Sequence, residues 1–504
     1  MPRMGRRGVS RRAGYLSLVF VLLFFALMLS PHAAAHARSV RSVVVSRASP
    51  FDPSCAPAAS PDEINYQNAE VEPRVAVDPE DSRHLVGVWQ QDRWGFGGAH
   101  GLVSAVSRNG GKTWTRSFAP FDHCSGGNAR NGGDYERASD PWVTIAPNGD
   151  AYQIAISFNA FSPDNAVLVS KSTDGGAHWG KLTTLILDTS FLFFNDKESI
   201  TADPRHSRFV YAVWDRIFFD PATNAFAGPV FFSRTTNGGR TWEAARAIFD
   251  PGLGASTISN QIAVLHDGTL LDVFVLFPSA GPPEVDVIRS TDRGATWSPP
   301  IQVSVLGTVG VFDPETGVPI RTGDVIPDIA VDMKRGKVYV VWQDGRFSGF
   351  GHDDIALSVS SNRGTTWSEP IRVSQTPNNA PAFTASLAVA SDGTVGVTYY
   401  DFRSNTPDPN SLWTDYWLVR CRASCQDEKS WSSETHIAGP FDMQTAPFAF
   451  GLFLGDYEGL AAVGKGFLAF FVRANSGHLE NRTDVIAARI AGVEREHGDE
   501  DDDD

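Results

Sequence analysis

The chain has 504 residues, of which 42% are hydrophobic, 11% are aromatic and 20% are charged, so it can bury a large core and is not an intrinsically disordered protein. Its formal net charge of -15 argues against nucleic acid as a partner. These figures predict a globular protein and say nothing yet about its activity.

The first 37 residues predict a signal peptide. An apolar run over residues 15–29 is followed by Ala35-His36-Ala37, a small-x-small cleavage site, and is preceded by five arginines: Arg3, Arg6, Arg7, Arg11 and Arg12. The mature chain would then begin near Arg38, be secreted or extracytoplasmic, and contain no membrane span. An uncleaved anchor is the alternative, although this run is shorter than the roughly 20 residues that a span needs.

One octapeptide recurs along the chain, with its tryptophans 55 to 70 residues apart. It begins with Ser or Thr, has Asp or Asn at its third position and Gly at its fifth, and ends in Trp; the five copies cover 107–114, 172–179, 235–242, 290–297 and 360–367. A degenerate sixth copy runs from Ser424 to Trp431. The hydroxyl and the Asp/Asn oxygen accept hydrogen bonds from turn backbone, and the glycine allows positive φ. The sequence therefore predicts a repeated tight turn.

Pairs of apolar strands around short turns precede the six copies of the octapeptide, and one further pair follows the degenerate copy. Seven such hairpins are predicted, at 74–89, 142–158, 199–214, 261–277, 328–342, 386–400 and 460–472. A further strand is predicted over 484–490, and Val40 to Ser46 forms a β-branched strand without a local partner. Trp89, Trp214 and Trp342 occupy matching places in three hairpins and are expected to lie in the core.

The octapeptide resembles the Asp-box, or BNR repeat, of the sialidase superfamily, in which it joins the third and fourth strands of a propeller blade. This resemblance implies an all-β protein, a sialidase-type β-propeller over residues 72–493. Seven hairpins favour seven four-stranded blades, with six, the number in familiar sialidases, as the alternative. Residues 38–71 would be an N-terminal segment whose Val40–Ser46 strand completes the last blade, and 494–504 a disordered acidic tail.

The four cysteines allow three pairings. Cys421 and Cys425 are close enough in sequence to close one turn, which leaves Cys55 to pair with Cys124. Disulfides of this kind agree with an exported protein.

Charged residues recur where the second strands of the predicted hairpins end. Asp-Arg pairs stand at Asp92-Arg93 and Asp215-Arg216, and similar pairs at Asp344 with Arg346 and Asp401 with Arg403. In a propeller these ends meet on one face, so Arg93, Arg216, Arg346 and Arg403 are candidate groups for binding a carboxylate-bearing sugar. The competing interpretation is that each pair is a structural ion pair repeated with the blade.

The resemblance also suggests catalytic residues. Glu-Pro-Arg74 resembles the strand that carries a substrate-binding arginine in sialidases, and Tyr457 stands in a setting similar to that of the family's nucleophilic tyrosine. Glu198, or alternatively Glu136, is the expected base for this tyrosine. The loop after the first hairpin has no acid between Arg93 and Ser104, so Asp92 is the substitute for the family's acid aspartate.

These observations together predict a sialidase-like glycoside hydrolase acting on an anionic glycan. The alternative is a non-catalytic propeller that binds glycan or protein at the cell surface, and the sequence leaves catalysis itself undecided. No cofactor or resident metal is expected, because no EF-hand-type loop is present. The acidic residues at the predicted rim nevertheless leave a calcium site possible. The protein is expected to be a monomer.

Overall fold

The computed structural model describes residues 40–377, 379–431 and 434–492. The predicted signal peptide and acidic tail lie outside the described residues. Over the ranges that are described, the model contains no helix long and apolar enough to cross a bilayer.

The described chain is built from 32 strands and three short 3-10 helices. In chain order the strands are β1 (Arg41–Val44), β2 (Asn65–Val77), β3 (Leu85–Trp94), β4 (Ala99–Ser107), β5 (Thr115–Ser117), β6 (Arg137–Ile145), β7 (Ala151–Phe158), β8 (Asn165–Ser172), β9 (Thr183–Asp188), β10 (Phe193–Ala202), β11 (Val210–Asp220), β12 (Ala225–Ala227), β13 (Val230–Thr235), β14 (Arg246–Phe249), β15 (Ser256–Val264), β16 (Leu270–Phe277), β17 (Glu284–Ser290), β18 (Ile301–Val305), β19 (Val311–Phe312), β20 (Pro319–Arg321), β21 (Asp328–Val331), β22 (Val338–Asp344), β23 (Asp354–Ser360), β24 (Ile371–Arg372), β25 (Ala382–Val389), β26 (Val395–Asp401), β27 (Trp413–Cys421), β28 (Thr435–Asp442), β29 (Leu452–Phe453), β30 (Gly459–Val463), β31 (Gly466–Ala474) and β32 (Thr483–Ile490). The 3-10 helices are Gly345–Ser348, Glu428–Ser430 and Met443–Thr445.

Apart from β12, β19, β20 and β29, the strands form seven antiparallel units of four strands each, called sheets 1 to 7 below. Their orders are β2-β3-β4-β5, β6-β7-β8-β9, β10-β11-β13-β14, β15-β16-β17-β18, β21-β22-β23-β24, β25-β26-β27-β28 and β30-β31-β32-β1. One residue pair, Ala99 with Ala138, joins sheets 1 and 2, and β12 extends β11. All seven predicted hairpins are therefore present as the first two strands of a sheet.

The first strands contact one another in sequence, and the contacts return to their start. β2 contacts β6, and contacts follow between β6 and β10, β10 and β15, β15 and β21, β21 and β25, and β25 and β30; β30 in turn contacts β2. Buried apolar clusters lie between consecutive sheets, such as those joining sheets 2 and 3 and sheets 3 and 4. Trp89, Trp214 and Trp342 are at most 1% exposed, which confirms their predicted place in the core.

The five octapeptides form tight turns between the third and fourth strands of sheets 1 to 5. In the first copy Ser107 Oγ accepts a hydrogen bond of 2.8 Å from Gly111 N, and Asn109 Oδ1 accepts one of 3.0 Å from Thr113 N. Gly111 has a φ of 81°, and a Cβ there would lie 2.3 Å from Leu468 Cδ1 of sheet 7. The glycine thus serves both the turn and the packing of one sheet on another.

The N-terminal residues are tied to the rest of the molecule at two places. β1 pairs antiparallel with β32, from Arg41 opposite Arg489 to Val44 opposite Ile486, as predicted for this unpaired strand. Disulfides join Cys55 to Cys124 and Cys421 to Cys425, the expected pairing. The first strand of sheet 1 begins at Asn65, earlier than the predicted start at Glu72.

A three-stranded sheet of β19, β20 and β29 was not predicted. β19 and β20 belong to the segment between sheets 4 and 5, and β20 pairs parallel with β29, which precedes sheet 7. This small sheet carries Arg321 to the ends of the first strands.

Candidate functional site

Five of the first strands carry a bulge at an equivalent place. The pairing register shifts between the first two strands of sheets 1, 2, 3, 4 and 6. A non-glycine residue with positive φ lies in each shift: Glu72 (53°), Asp140 (51°), Lys197 (50°), Ser259 (69°) and Thr384 (51°). Such backbone is costly and is concentrated at functional sites, where bulges redirect side chains.

Three of these residues meet in a buried group of charges, called the Lys197 cluster: Glu72, Asp140, Lys197, Arg321 and Asp456. Lys197 Nζ lies 2.7 Å from Asp140 Oδ1, 2.7 Å from Asp456 Oδ2 and 3.3 Å from Glu72 Oε1. Arg321 donates from Nε to Asp456 Oδ1 at 2.8 Å and from Nη2 to Asp456 Oδ2.

The surrounding charges set the ionisation of the cluster. Burial lowers the pKa of Lys197, but Asp140, Asp456 and Glu72 outweigh it and hold that pKa well above its usual value. Burial likewise opposes ionisation of Asp456, yet Lys197 and Arg321 keep its pKa well below the usual range. For Glu72, burial dominates and raises the pKa to about 7. Lys197 and Asp456 are therefore a charged pair at neutral pH.

A small cavity of about 20 Å³ adjoins the cluster and contains the predicted nucleophile and base. Tyr457, Glu198, Trp142 and Lys197 all line it. Within the described part of the chain, neither the Tyr457 hydroxyl nor either carboxyl oxygen of Glu198 has a hydrogen-bond partner, and all three atoms are buried. Buried polar atoms without partners are rare in native proteins, which marks this cavity as a candidate site.

The surroundings of both side chains favour their neutral forms. Burial, reinforced by the charge of Asp140, raises the pKa of Glu198 well above its usual value. Burial also raises the pKa of the Tyr457 phenol well above its usual value, with Glu72, Asp140 and Glu198 adding to the effect and Arg74 opposing it. Shifts of this kind, on a phenol and a carboxyl group that line one cavity, are typical of functional sites.

A larger cavity of about 400 Å³ opens beside the small one. The two share Lys197 and Ile326, and the larger is also lined by Asp196, Arg321 and Asp324. Its volume is in the range of small-molecule sites. Burial, with Asp140 adding, raises the pKa of Asp196 to about 6, and burial raises the pKa of Asp324 above its usual value.

Two of the predicted arginines reach this region. The Arg74 guanidinium stacks 3.6 Å from the centre of the Trp142 ring, lies 5.9 Å from that of Tyr457 and donates to Glu458 O at 2.8 Å. Arg93 is buried and stacks on Phe453.

The other three predicted arginines do not converge on the site. Arg216 donates to Asp188 at 2.9 Å, Arg346 to Asp344 at 2.8 Å and Arg403 to Asp401 at 2.6 Å. Each is neutralised by an acid close to its own strand, so the structural ion pair describes them better than the predicted substrate contact.

Asp92, the expected acid, and Glu136, the alternative base, do not line the cavity that contains Tyr457. Asp92 is fully buried and accepts hydrogen bonds from Ser49 Oγ at 2.6 Å and Asn68 N at 2.8 Å, so it holds the N-terminal segment. Its neighbour Arg93 is buried elsewhere, against the ring of Phe453, which Arg321 of the cluster also contacts. Glu136 accepts a hydrogen bond from Ala160 N at 2.6 Å in a loop.

Sequence reasoning missed Arg321 as a site residue, because it lies outside the repeated hairpins. The spacing from Trp297 to Trp367 is the longest between octapeptide tryptophans, and it indicates an insertion in the segment that contains Arg321. Across the described ranges, no group of three or more His, Cys, Asp or Glu residues is arranged to hold a metal ion. The acidic side chains of the Lys197 cluster instead surround an ammonium group.

No protein-family model matches the chain, and no curated protein matches it. Among solved structures, the Hadza microbial sialidase Hz136 is similar at 14% identity, covering 82% of this chain and 74% of that one, with a TM-score of 0.44. An α-L-arabinofuranosidase from Fusarium graminearum is 12% identical over 70% of this chain and 92% of its own, with a TM-score of 0.43. A leech intramolecular trans-sialidase is 11% identical over 87% and 70%, with a TM-score of 0.41. Likeness at this level assigns no activity to the chain.

Proposed function

We propose that the chain is a seven-bladed β-propeller that hydrolyses a glycoside of an anionic sugar. The cyclic contacts of the seven first strands support the propeller, and the octapeptide turns support its sialidase-type blades. The two disulfides support export to an oxidising compartment.

The observation that carries the catalytic proposal is the pairing of Tyr457 with Glu198. A phenol and a carboxyl group, both buried and both without partners among the described residues, line one cavity beside a ligand-sized opening. Unsatisfied groups of this kind destabilise the fold, so a role in binding or chemistry explains their retention.

In the proposed reaction the Tyr457 oxygen attacks the anomeric carbon while the glycosidic bond breaks. Glu198, in its ionised form, takes the phenolic proton, and a neutral nucleophile avoids repulsion from an anionic substrate. Asp196, with a pKa of about 6, replaces Asp92 as the group that protonates the leaving oxygen. Water then attacks the glycosyl-tyrosine. The ionised Asp196 takes a proton from this water, Glu198 returns its proton to the Tyr457 oxygen, and the free sugar leaves.

Lys197 and Arg321 line the larger cavity and would face the sugar's negative charge. Their positive charge is already shared with Glu72, Asp140 and Asp456. This neutralisation is the observation that favours the second candidate function, a non-catalytic glycan-binding propeller.

Turnover of fluorogenic glycosides separates the two functions. We expect release of the fluorophore from a sialoside or a uronide, and a loss of about a thousandfold or more in kcat for Tyr457→Phe. Because the Tyr457 hydroxyl has no partner among the described residues, this variant should keep its melting temperature.

Tyr400→Phe is the matched control. The Tyr400 hydroxyl contacts Glu458 Oε1 and Val472 O, at 2.9 and 2.6 Å, so its loss should destabilise the protein without abolishing turnover. Absence of turnover by the parent protein on all anionic glycosides, together with measurable binding of them, would establish the binding function instead.

A further inference from the structure

Three of the arginines at the ends of the second strands form ion pairs, and Arg473 does not. Arg216, Arg346 and Arg403 each form an ion pair with a nearby acid. Arg473 stands at the corresponding end of β31 in sheet 7. Its side chain forms no hydrogen bond or ion pair with any residue in the described ranges, so its charge is not neutralised as in sheets 3, 5 and 6.

Arg473 lines a cavity of about 540 Å³ between sheets 6 and 7. The cavity is also lined by Asn475, Ser476, His478 and Asn481, and by Phe441. This volume suits a small molecule, and guanidinium, imidazole, amide and hydroxyl groups converge in it. None of these residues belongs to the Lys197 cluster or lines either cavity beside Tyr457.

The acid that lies opposite Arg473 in the strand pairing is hydrogen-bonded to other residues. Asp484 is its cross-strand partner on β32, but Asp484 Oδ1 accepts from Ser46 Oγ at 3.3 Å and Oδ2 from Asn475 Nδ2 at 2.8 Å. The guanidinium therefore keeps its donors for a ligand, and a guanidinium binds a carboxylate in a two-pronged contact.

Two further groups in the cavity suit sugar hydroxyls. Asn481 Oδ1 is buried and has no hydrogen-bond partner in the described residues, so it can accept a hydrogen bond from a sugar hydroxyl. Ser476 Oγ accepts a 2.8 Å hydrogen bond from Asp442 N, which leaves its own proton to donate.

We propose that this cavity is a second binding site, distinct from the Tyr457 site, for a sugar that carries a carboxylate. Arg473 binds the carboxylate, and Asn481 and Ser476 bind ring hydroxyls. The site recognises acidic saccharides whether or not the protein hydrolyses them, so it does not depend on the catalytic proposal.

Titration calorimetry of the full chain tests the site with glucuronate and N-acetylneuraminate as separate probes. Methyl glucoside serves as the uncharged sugar and inorganic phosphate as the anion without a sugar ring. We expect at least one acidic sugar to bind, Arg473→Ala to weaken that binding at least tenfold, and the glucoside not to bind.

Two variants locate the signal. Arg83→Ala removes the same charge from an exposed pair with Asp81 and should leave the affinity unchanged. Arg74→Ala alters the Tyr457 region and should leave the Arg473-dependent binding intact, so failure of one site is distinguishable from failure of the other. Equal affinity in Arg473→Ala and the parent, no binding of either acid, or binding of phosphate as tight as that of the sugars would overturn the proposal.

Discussion

Lys197 Nζ lies 2.7 Å from Asp456 Oδ2, although 259 positions separate the two residues along the chain. The contact joins the first strand of sheet 3 to the residue that precedes Tyr457. Both groups are less than 10% exposed and both are charged, so each depends on the other for its stability in the interior.

Removing the Asp456 carboxylate should therefore be costly. Asp456→Asn leaves Lys197 with one fewer neutralising charge and Arg321 without its carboxylate partner. Breaking a buried pair in this way typically costs about 3–5 kcal/mol, which denaturant unfolding would measure as a lower free energy of unfolding. Asp81→Asn in the exposed Arg83 pair is the control and should leave the free energy nearly unchanged. Equal losses in both variants would contradict the role of the cluster.

The activity of the proposed enzyme should rise with pH as Glu198 ionises and fall as the acid Asp196, whose pKa burial raises to about 6, loses its proton. Glu198 must be ionised to accept the Tyr457 proton, and burial raises its pKa, so the base is missing at low pH. A profile of kcat/KM against pH should show an ascending limb that lies above the usual titration range of a glutamate. Glu198→Gln should lose this limb along with most of the activity. Glu136→Gln, in a loop remote from the cavity, should retain it.

The stability of the fold should fall as pH rises from about 4 to 8. Burial raises the pKa of Asp122 to about 7 and of Asp215 to about 8, and raises the pKa of Asp272 well above its usual value. Between the ordinary and the raised pKa the folded state binds more protons than the unfolded state. The stabilisation is therefore complete at low pH and is lost as the pH rises and these carboxyl groups ionise. The melting temperature should therefore be higher at pH 5 than at pH 8.

Asp272→Asn tests the origin of this slope. Neither carboxyl oxygen of Asp272 has a hydrogen-bond partner among the described residues, so a neutral amide removes the titration without breaking a contact. The melting temperature of Asp272→Asn should depend less on pH than that of the parent. Asp62→Asn, on the exposed surface, should show the same pH dependence as the parent. An unchanged slope in Asp272→Asn would show that other groups cause the effect.

The two disulfides should differ in their contribution to stability. Cys55–Cys124 closes a loop with a sequence separation of 69, and Cys421–Cys425 one with a separation of 4. The chain-entropy model gives about 4 kcal/mol for the first and about 2 kcal/mol for the second. Paired alanine variants of each disulfide, compared by denaturant unfolding, should show the larger loss for the first. The reverse order would mean that contacts in the folded state dominate.

Much of the fold was predictable because it repeats. The octapeptide specifies its own turn through hydrogen bonds within eight residues, as between Ser107 and Gly111, and alternating apolar residues specify the hairpins. The terminal strand could be predicted as the partner of the last sheet because Val40 to Ser46 had no neighbour of its own. The small sheet that contains Arg321 breaks the repeat, so no periodic signal announced it.

The sequence by itself determined the all-β class, the hairpins and the turns, because these depend on local bonding or on a repeated pattern. Its resemblance to the sialidase superfamily suggested Tyr457 and Glu198 as candidates. Only the tertiary structure decided which charged residues meet. Asp92 and Arg93 are adjacent in the chain, yet Asp92 holds the N-terminal segment and Arg93 packs on Phe453, the ring that Arg321 also contacts. The partners of a charge are set by the bulges and loops that redirect each strand end, and those contacts join residues hundreds of positions apart.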